Sequence, residues 1–330
     1  MPNSQFCIKD MNTSVLHDNI INAIKEKVPS NTNITAVLMD ILYIGKEAIY
    51  RRLRGDVPFT FEELASISKV LGISLDNIAG STMQKSKPFQ LKLTDYVNPT
   101  EADYGQMEDF IDILRSARKD DCTEFASSAN IFQQTLYIGH EYLNKFYLFK
   151  SLYQTNGLDS VKSLDDIKMS KRLNDIQKRY QEETMYIKHT FYIWDYMIFR
   201  YLVNDIKYFA SIRYITSEDV AALKEDLLTF MDRMEKLATK GEFETGNKVQ
   251  LYLSSLNFES TYSYMQTQNL KLSHIIAFTL NAVVSLDTTT FDRVQQWIDA
   301  LKRLSTLISE SGEMQRVKFF KEQRELVNTL

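Results

Sequence analysis

The chain has 330 residues, of which 44% are hydrophobic and 25% charged, the balance of an ordinary soluble globular protein. Its formal net charge of −4 excludes a globally basic nucleic-acid coat, so DNA binding, if present, must be local. The 2 cysteines cannot build a disulfide framework or a four-ligand zinc site. None of the 4 histidines stands at a metal-ligand spacing from another ligand, and we expect no metal and no cofactor.

The first residues lack the basic and apolar regions of a signal peptide. No apolar run approaches the roughly 18–20 residues that span a bilayer. We therefore expect a cytoplasmic protein with no membrane partner. The length suggests two or three domains.

In chain order, a polar arm is expected at 1–13 and a first domain at 14–80. Apolar periodicity, with glycines at or next to the segment ends, predicts five short helices, at about 15–28, 34–42, 46–54, 61–71 and 75–80. Thr60 and Glu63 fit a capping box at the start of the fourth. Five short helices in one segment make a compact all-α unit.

A polar linker is expected at 81–88, followed by a large domain at 89–330. Helices are predicted at about 101–117, 139–154, 165–184, 193–213, 217–239, 290–308 and 313–328. Alternating residues predict two or three antiparallel strands between 248 and 281 and a further strand near 89–93. The expected fold class is mainly α with a smaller β component. It combines an all-α five-helix domain and a helix-rich α+β domain with a small antiparallel meander.

The segment 35–55 is the most specific feature of the sequence, and its pattern is that of a helix-turn-helix. The apolar positions of two helices and of the turn between them face one core: Leu38, Leu42, Ile44, Ile49 and Leu53. The outer faces of the second helix then carry Lys46, Glu47, Tyr50, Arg51 and Arg54. Residues 46–54 hold four cations and one Glu, whereas 1–80 as a whole holds 8 Lys and Arg against 9 Asp and Glu. Positive charge focused on one helix is typical of a DNA-reading element.

This segment resembles the helix-turn-helix of the phage-repressor type, the lambda-repressor-like family. The resemblance continues through the loop 55–60 and through 63–78, which look like the family's next loop, its fourth helix and the start of its fifth. It covers about 60 of the 330 residues. Two positions depart from the family pattern. Met39 replaces a small residue, and Tyr43 replaces the glycine of the turn, so the turn must differ in geometry or tolerate strain.

The resemblance implies that the second helix lies in the major groove with its first residues at base edges. Lys46, Glu47 and Arg51 become the expected base readers, with Tyr50 beside them. Lys and Arg can donate to guanine O6 and N7, and Glu can accept from cytosine N4. Thr35, at the start of the preceding helix, and Arg54 become the expected phosphate contacts.

Several alternatives remain open at this point. The helix-turn-helix could bind protein rather than DNA, and Glu47 could pair with Arg51. The eleven aromatic residues between 180 and 214 fit either a ligand pocket, with Arg200 or Arg213 fixing an anion, or simple core packing. The loop 309–316 is a second candidate ligand site. The apolar seams of the last two helices fit either a dimer interface or the core.

The sequence favours a transcription regulator that binds a double-stranded DNA operator as a homodimer. The large domain would then dimerise or sense a small-molecule effector. The alternative hypothesis makes the large domain a protein-interaction or enzymatic module, with the helix-turn-helix as a docking unit. The sequence has no phosphate-binding glycine loop and no hydrolase, metalloprotease or kinase signature, so we do not expect an enzyme.

Overall fold

The computed structural model describes residues 13–28, 32–73, 75, 78, 90–154 and 163–330. Contacts divide the chain into two compact units, Met1–Pro88 and Phe89–Leu330. The division falls at the end of the predicted linker 81–88. That linker and the predicted arm, apart from its last residue, lie outside the described residues. No helix in the described part of the chain is both long and apolar enough to cross a bilayer.

The N-terminal unit is built from four described helices, α1 (Thr13–Lys27), α2 (Ile34–Leu42), α3 (Lys46–Leu53) and α4 (Phe61–Leu71). They match the predicted helices to within two residues. Of the fifth predicted helix, Leu75 and Ile78 are helical and the rest lies outside the described residues. Each helix contributes one almost wholly buried side chain to a single small core: Ile24, Leu38, Ile49 and Ile67.

Local signals fix both ends of α4. The Thr60 hydroxyl accepts the Glu63 N–H, and the Glu63 carboxylate accepts the Thr60 N–H, which confirms the predicted capping box. At the other end Gly72 lies at φ +64°, a left-handed conformation that favours glycine. These caps position the loop and helix that follow α3.

In the C-terminal unit, eight described helices pack around a sheet of eight strands. The helices are α5 (Glu101–Ser116), α6 (Gln134–Tyr137), α7 (Glu141–Gln154), α8 (Lys171–Thr184), α9 (Ile198–Ser211), α10 (Ser217–Lys240), α11 (Thr288–Leu304) and α12 (Glu313–Val327). The strands are β1 (Gln90–Lys92), β2 (Glu124–Ala129), β3 (His189–Asp195), β4 (Lys248–Ser254), β5 (Tyr262–Gln266), β6 (Lys271–Phe278), β7 (Asn281–Ser285) and β8 (Thr306–Leu307). The described chain is thus mainly α with a smaller β component, as predicted.

The strand order is β1-β7-β6-β5-β2-β3-β4-β8. Strands β5 and β6 are antiparallel and lie where the meander was predicted, and β7, which completes the meander, begins at the end of the predicted range. The predicted strand at β4 is present, but it pairs in parallel with β3, as β3 does with β2, and not antiparallel as predicted. The prediction was also wrong for 193–195, which end β3 rather than begin a helix, and it missed β2. Strands β2 and β3 are buried and parallel, and they lack the alternation that identifies a half-exposed strand.

Each face of the sheet is covered by helices. On one face Ala126, Phe191 and Tyr264 pack with Phe291 and Ile298 of α11. On the opposite face the β3–β4 half forms the main core with α7, α9, α10 and α12. In this core the centre of the Phe132 ring lies 4.7–5.3 Å from the centres of three neighbouring rings, those of Trp194, Phe199 and Phe230.

Candidate nucleic-acid interface

The helix-turn-helix is held together by the apolar residues that the sequence predicts. Leu38 of α2 and Ile49 of α3 have no exposed surface. Leu42, Ile44 and Leu53 are partly buried against the same core. The opposite side of α3 is therefore free to face solvent.

Tyr43 occupies the turn between α2 and α3 in a left-handed conformation, at φ 53° and ψ 36°. Its N–H donates to the Met39 carbonyl at 2.9 Å and closes α2. The side chain is 92% exposed. The turn therefore keeps the geometry that glycine favours. For a residue with a Cβ atom this conformation costs roughly 1–2 kcal/mol, and the turn tolerates that strain. Met39, the other residue that departs from the family pattern, is half-buried.

One face of α3 carries all the predicted reading residues. At 100° per residue, Lys46, Glu47, Tyr50, Arg51 and Arg54 fall within an arc of about 140°. All are exposed except Tyr50, which is half-buried. The Lys46 ammonium lies 5.6 Å from the centre of the Tyr50 ring. The structure thus brings these five side chains to one outward surface, which we call the α3 face.

The four cations of α3 and its C-cap differ in their partners. Arg52 lies to the side of the α3 face and binds the Glu63 carboxylate, with Nε–Oε2 and Nη2–Oε1 distances of 2.7 Å. Arg54 binds Asp56 through Nε and Nη2, both at 2.9 Å. Within the described chain, no carboxylate forms an ion pair with Lys46 or Arg51. Glu47 and Arg51 therefore do not make the alternative pair.

The Arg52–Glu63 contact changes the acidity of the carboxyl group. Burial raises the pKa of Glu63. The hydrogen bonds from the Arg52 guanidinium and the Thr60 N–H outweigh it, and the pKa ends below its usual value. Glu63 therefore remains a carboxylate that anchors α3 to α4.

Thr35 does not join the α3 face. Its side chain is only 6% exposed, and its N–H donates to Asn33 Oδ1 at 2.9 Å. The expected phosphate contact is not supported by this position, because the hydroxyl is buried and the N–H is already satisfied. The exposed polar residue at this helix end is Asn33, the N-cap, which sequence reasoning missed. An Asn directly before a predicted helix is the signal that could have identified it.

Residues 12–128 match the sequence model of the family described as the BetR domain. The match covers about a third of the chain, from the residue before α1 through α5 and nearly to the end of β2. No curated protein and no solved structure shows a significant match to the chain.

The other predicted site residues have mainly structural positions. Ser309 accepts the Leu251 N–H at 2.6 Å, and Arg316 donates to the Ile308 carbonyl at 2.9 Å. Both side chains are buried, so the segment 309–316 connects the sheet to α12 through these two hydrogen bonds. Arg200 is exposed at the surface of α9. Among the described residues, no three His, Cys, Asp or Glu side chains are grouped to hold a metal ion.

The aromatic residues between 180 and 214 divide between the two interpretations. The core interpretation holds for Trp194, Phe199 and Phe209, which are at most 4% exposed. Tyr192 belongs to this core and also lines a cavity, as does Tyr180, whereas Arg213 does not line it. The seams of the last two helices divide in the same way. Core positions are Phe291, Ile298, Leu301 and Phe320, and exposed positions are Trp297, Leu304 and Val317.

Proposed function

We propose that the chain is a sequence-specific DNA-binding transcription regulator that reads the major groove with α3. The observation that supports this most is the contrast among the cations. Arg52 and Arg54 are neutralised by carboxylates, whereas no described carboxylate pairs with Lys46 or Arg51 on the exposed α3 face. Two cations without a carboxylate partner in the described chain can bind a polyanion with no such ion pair to break.

Each side chain of the α3 face has a role in this proposal. Lys46 and Arg51 donate to guanine O6 and N7, and Glu47 accepts from cytosine N4. The Tyr50 ring contacts the Lys46 ammonium and holds that side chain in position. Arg54 contacts phosphate after exchanging its Asp56 partner.

We extend the proposal to a homodimer on a two-fold symmetric operator, with half-sites roughly 34–36 Å apart. The exposed Trp297 and Leu304, two turns apart on α11, supply the apolar surface for a second copy. A small-molecule effector sensed by the C-terminal unit and action in the cytoplasm complete the proposal.

The test is selection of bound duplexes from a random library, at low salt, with the full-length protein. Wild type should enrich one two-fold symmetric site. Arg51→Ala should lose preference at one base pair of each half-site, since a bidentate base contact contributes roughly 1–3 kcal/mol to discrimination. Lys25→Ala, an exposed cation on α1, is the matched control and should enrich the wild-type site.

No enrichment by wild type would refute the DNA-reading role and leave a protein-docking helix-turn-helix. Equal loss in Arg51→Ala and Lys25→Ala would show that charge alone, and not α3, determines binding. Enrichment of a single half-site would retain the α3 role and refute the dimer.

A further inference from the structure

The C-terminal unit encloses a cavity of about 260 Å³. It lies between α5, α8 and one face of the sheet formed by β2, β3, β5, β6 and β7. The register explains which side chains reach it. Thr190 is paired with Phe125, Phe125 with Met265, and His274 with Val284, so these residues share one sheet face. Its volume is near the lower end of small-molecule sites, roughly 300–1,000 Å³, and far above an ordinary packing void.

The lining of the cavity combines aromatic and aliphatic residues with uncharged polar ones, mainly Thr and Gln. Among the described residues that line it, none is Asp, Glu, Lys or Arg. His274 is the basic group present, and burial lowers its pKa to about 4, so it is neutral at physiological pH. Burial raises the pKa of Tyr180 and Tyr192, so both remain neutral phenols. A charged ligand would find no counter-charge here.

Among the described residues, four that line the cavity each have one buried polar atom without a hydrogen-bond partner. These atoms are Oγ1 of Thr190, Nε2 of Gln134, Nε2 of Gln177 and Oε1 of Gln133. Thr190 and Gln177 are 3% and 4% exposed. Buried polar groups in native proteins are nearly always paired, and leaving one unpaired costs free energy. The four atoms comprise two amide donors, one amide acceptor and one hydroxyl, which can donate or accept. A ligand with hydroxyl or carbonyl groups would supply partners for these atoms once their side chains turn toward it.

An open cleft adjoins the cavity. This cleft, of about 380 Å³, shares Ile131, Thr261, Ile276 and Thr279 with the cavity wall. Thr279 is held at this junction by Gln154, whose Oε1 accepts its N–H at 3.1 Å and its hydroxyl at 2.7 Å. These shared residues separate the cavity from a surface cleft by a single layer of side chains.

We propose that this cavity binds an uncharged, largely apolar small molecule carrying hydroxyl or carbonyl groups. The apolar body would pack against the aromatic wall. Its oxygen atoms would accept hydrogen bonds from Gln134, Gln177 and Thr190. The proposal concerns the C-terminal unit alone and holds whether or not α3 reads DNA.

The first test uses two fluorescent probes that share one ring system and differ in charge. N-phenyl-1-naphthylamine is neutral, and 1-anilinonaphthalene-8-sulfonate is its anionic counterpart. The full-length protein should bind one equivalent of the neutral probe at least tenfold more tightly than the anion. Thr190→Met, which extends a side chain into the cavity, should weaken the neutral probe at least tenfold. Thr289→Met, the same change at an exposed position of α11, should have no effect.

Ala282→Leu, at the part of the cavity wall formed by β7, is a second filling variant in case Thr190→Met does not fold. Unchanged binding of the neutral probe by a folded filling variant, equal binding of both probes, or no binding would overturn the proposal.

The second test concerns the polar atoms. Naphthalene and 1-naphthol compete against the neutral probe and differ by one hydroxyl group. A wholly apolar cavity favours naphthalene, because the hydroxyl group loses its water. A cavity with unpaired polar atoms should favour 1-naphthol, by at least fivefold. The reverse preference would contradict the polar part of the proposal. Neither test includes DNA, so their outcome is separate from that of the duplex selection.

Discussion

The Arg52 guanidinium, on α3, holds both carboxylate oxygens of Glu63, on α4, with both side chains 15% exposed. Glu63 also accepts the Thr60 N–H at 2.9 Å. One carboxylate therefore joins the α3 helix to the cap of the next helix. The orientation of the α3 face therefore depends more on the Arg52–Glu63 contact than on the contacts of the other cations of the helix.

Arg52→Ala should lower the free energy of unfolding of the N-terminal unit by about 1.5–3 kcal/mol, because it leaves a half-buried carboxylate without its charged partner. Hydrogen exchange of the α3 and α4 amides in the full-length protein measures the change. Arg54→Ala removes a pair that is 58% and 49% exposed, and should change stability by less than about 0.5 kcal/mol. Similar losses in both variants would contradict the anchoring role.

Acid should destabilise the N-terminal unit through Glu63. Its pKa is lower in the folded than in the unfolded state, where it is about 4.3. The stabilisation is therefore present above about pH 4.3 and is lost as the pH falls through the lower folded value. Hydrogen exchange of α4 from about pH 5 to about pH 3 should show a shallower loss in Glu63→Gln than in wild type. Identical slopes would exclude Glu63 as the titrating group.

Tyr43→Gly should stabilise the N-terminal unit by about 0.5–1 kcal/mol, since glycine adopts the left-handed turn without strain but has more freedom when unfolded. Tyr43→Ala retains the Cβ atom and removes the exposed ring, and it should give no gain. Amide exchange of α2 and α3 measures both. A gain in the alanine variant as large as in the glycine variant would show that the ring, not the backbone, is unfavourable.

Asp56→Asn should strengthen DNA binding without changing sequence preference. The substitution frees Arg54 from its 2.9 Å ion pair and removes a negative charge beside the α3 face. The slope of log affinity against log salt should steepen by about 1, as for one more phosphate contact. Asp18→Asn, which removes an exposed carboxylate from α1, is the charge-matched control. An equal effect of both variants would assign the change to net charge.

The C-terminal unit should lose stability in mild acid through His274. Its folded pKa of about 4 lies below the unfolded value of about 6.5. The stabilisation is thus complete above about pH 6.5 and declines to nothing as the pH falls through about 4, a loss of up to about 3 kcal/mol. His274→Gln should flatten this dependence in hydrogen exchange of β6. An unaltered dependence would place the titrating group elsewhere.

The sequence predicted the N-terminal unit well because its determinants are local. The spacing of Leu38, Leu42, Ile49 and Leu53 sets which side of each helix is buried, and hence which residues form the α3 face. The same spacing places Thr35 on the face of Leu38 and Leu42, which follow it by three and seven residues, so its burial was predictable but was missed. The Arg54–Asp56 pair could not be predicted this way, because it depends on side-chain positions that helical spacing leaves open.

The C-terminal sheet was harder to predict because its pairings are distant and mostly buried. Thr190 lies beside Phe125 only through the parallel register of β2 and β3. Neither strand shows the alternation that identified β4. The cavity combines residues from both ends of this unit, so no single segment of the sequence indicates it.

The pairing of β1 with β7 has a consequence for the growing chain on the ribosome. Gln90 lies opposite Val284, so the first strand of the sheet has no partner until nearly 200 further residues are made. At about 5–20 residues per second that interval lasts roughly 10–40 s. The N-terminal helices, whose contacts are local, can fold within this time. During synthesis the helix-turn-helix is therefore complete well before the sheet.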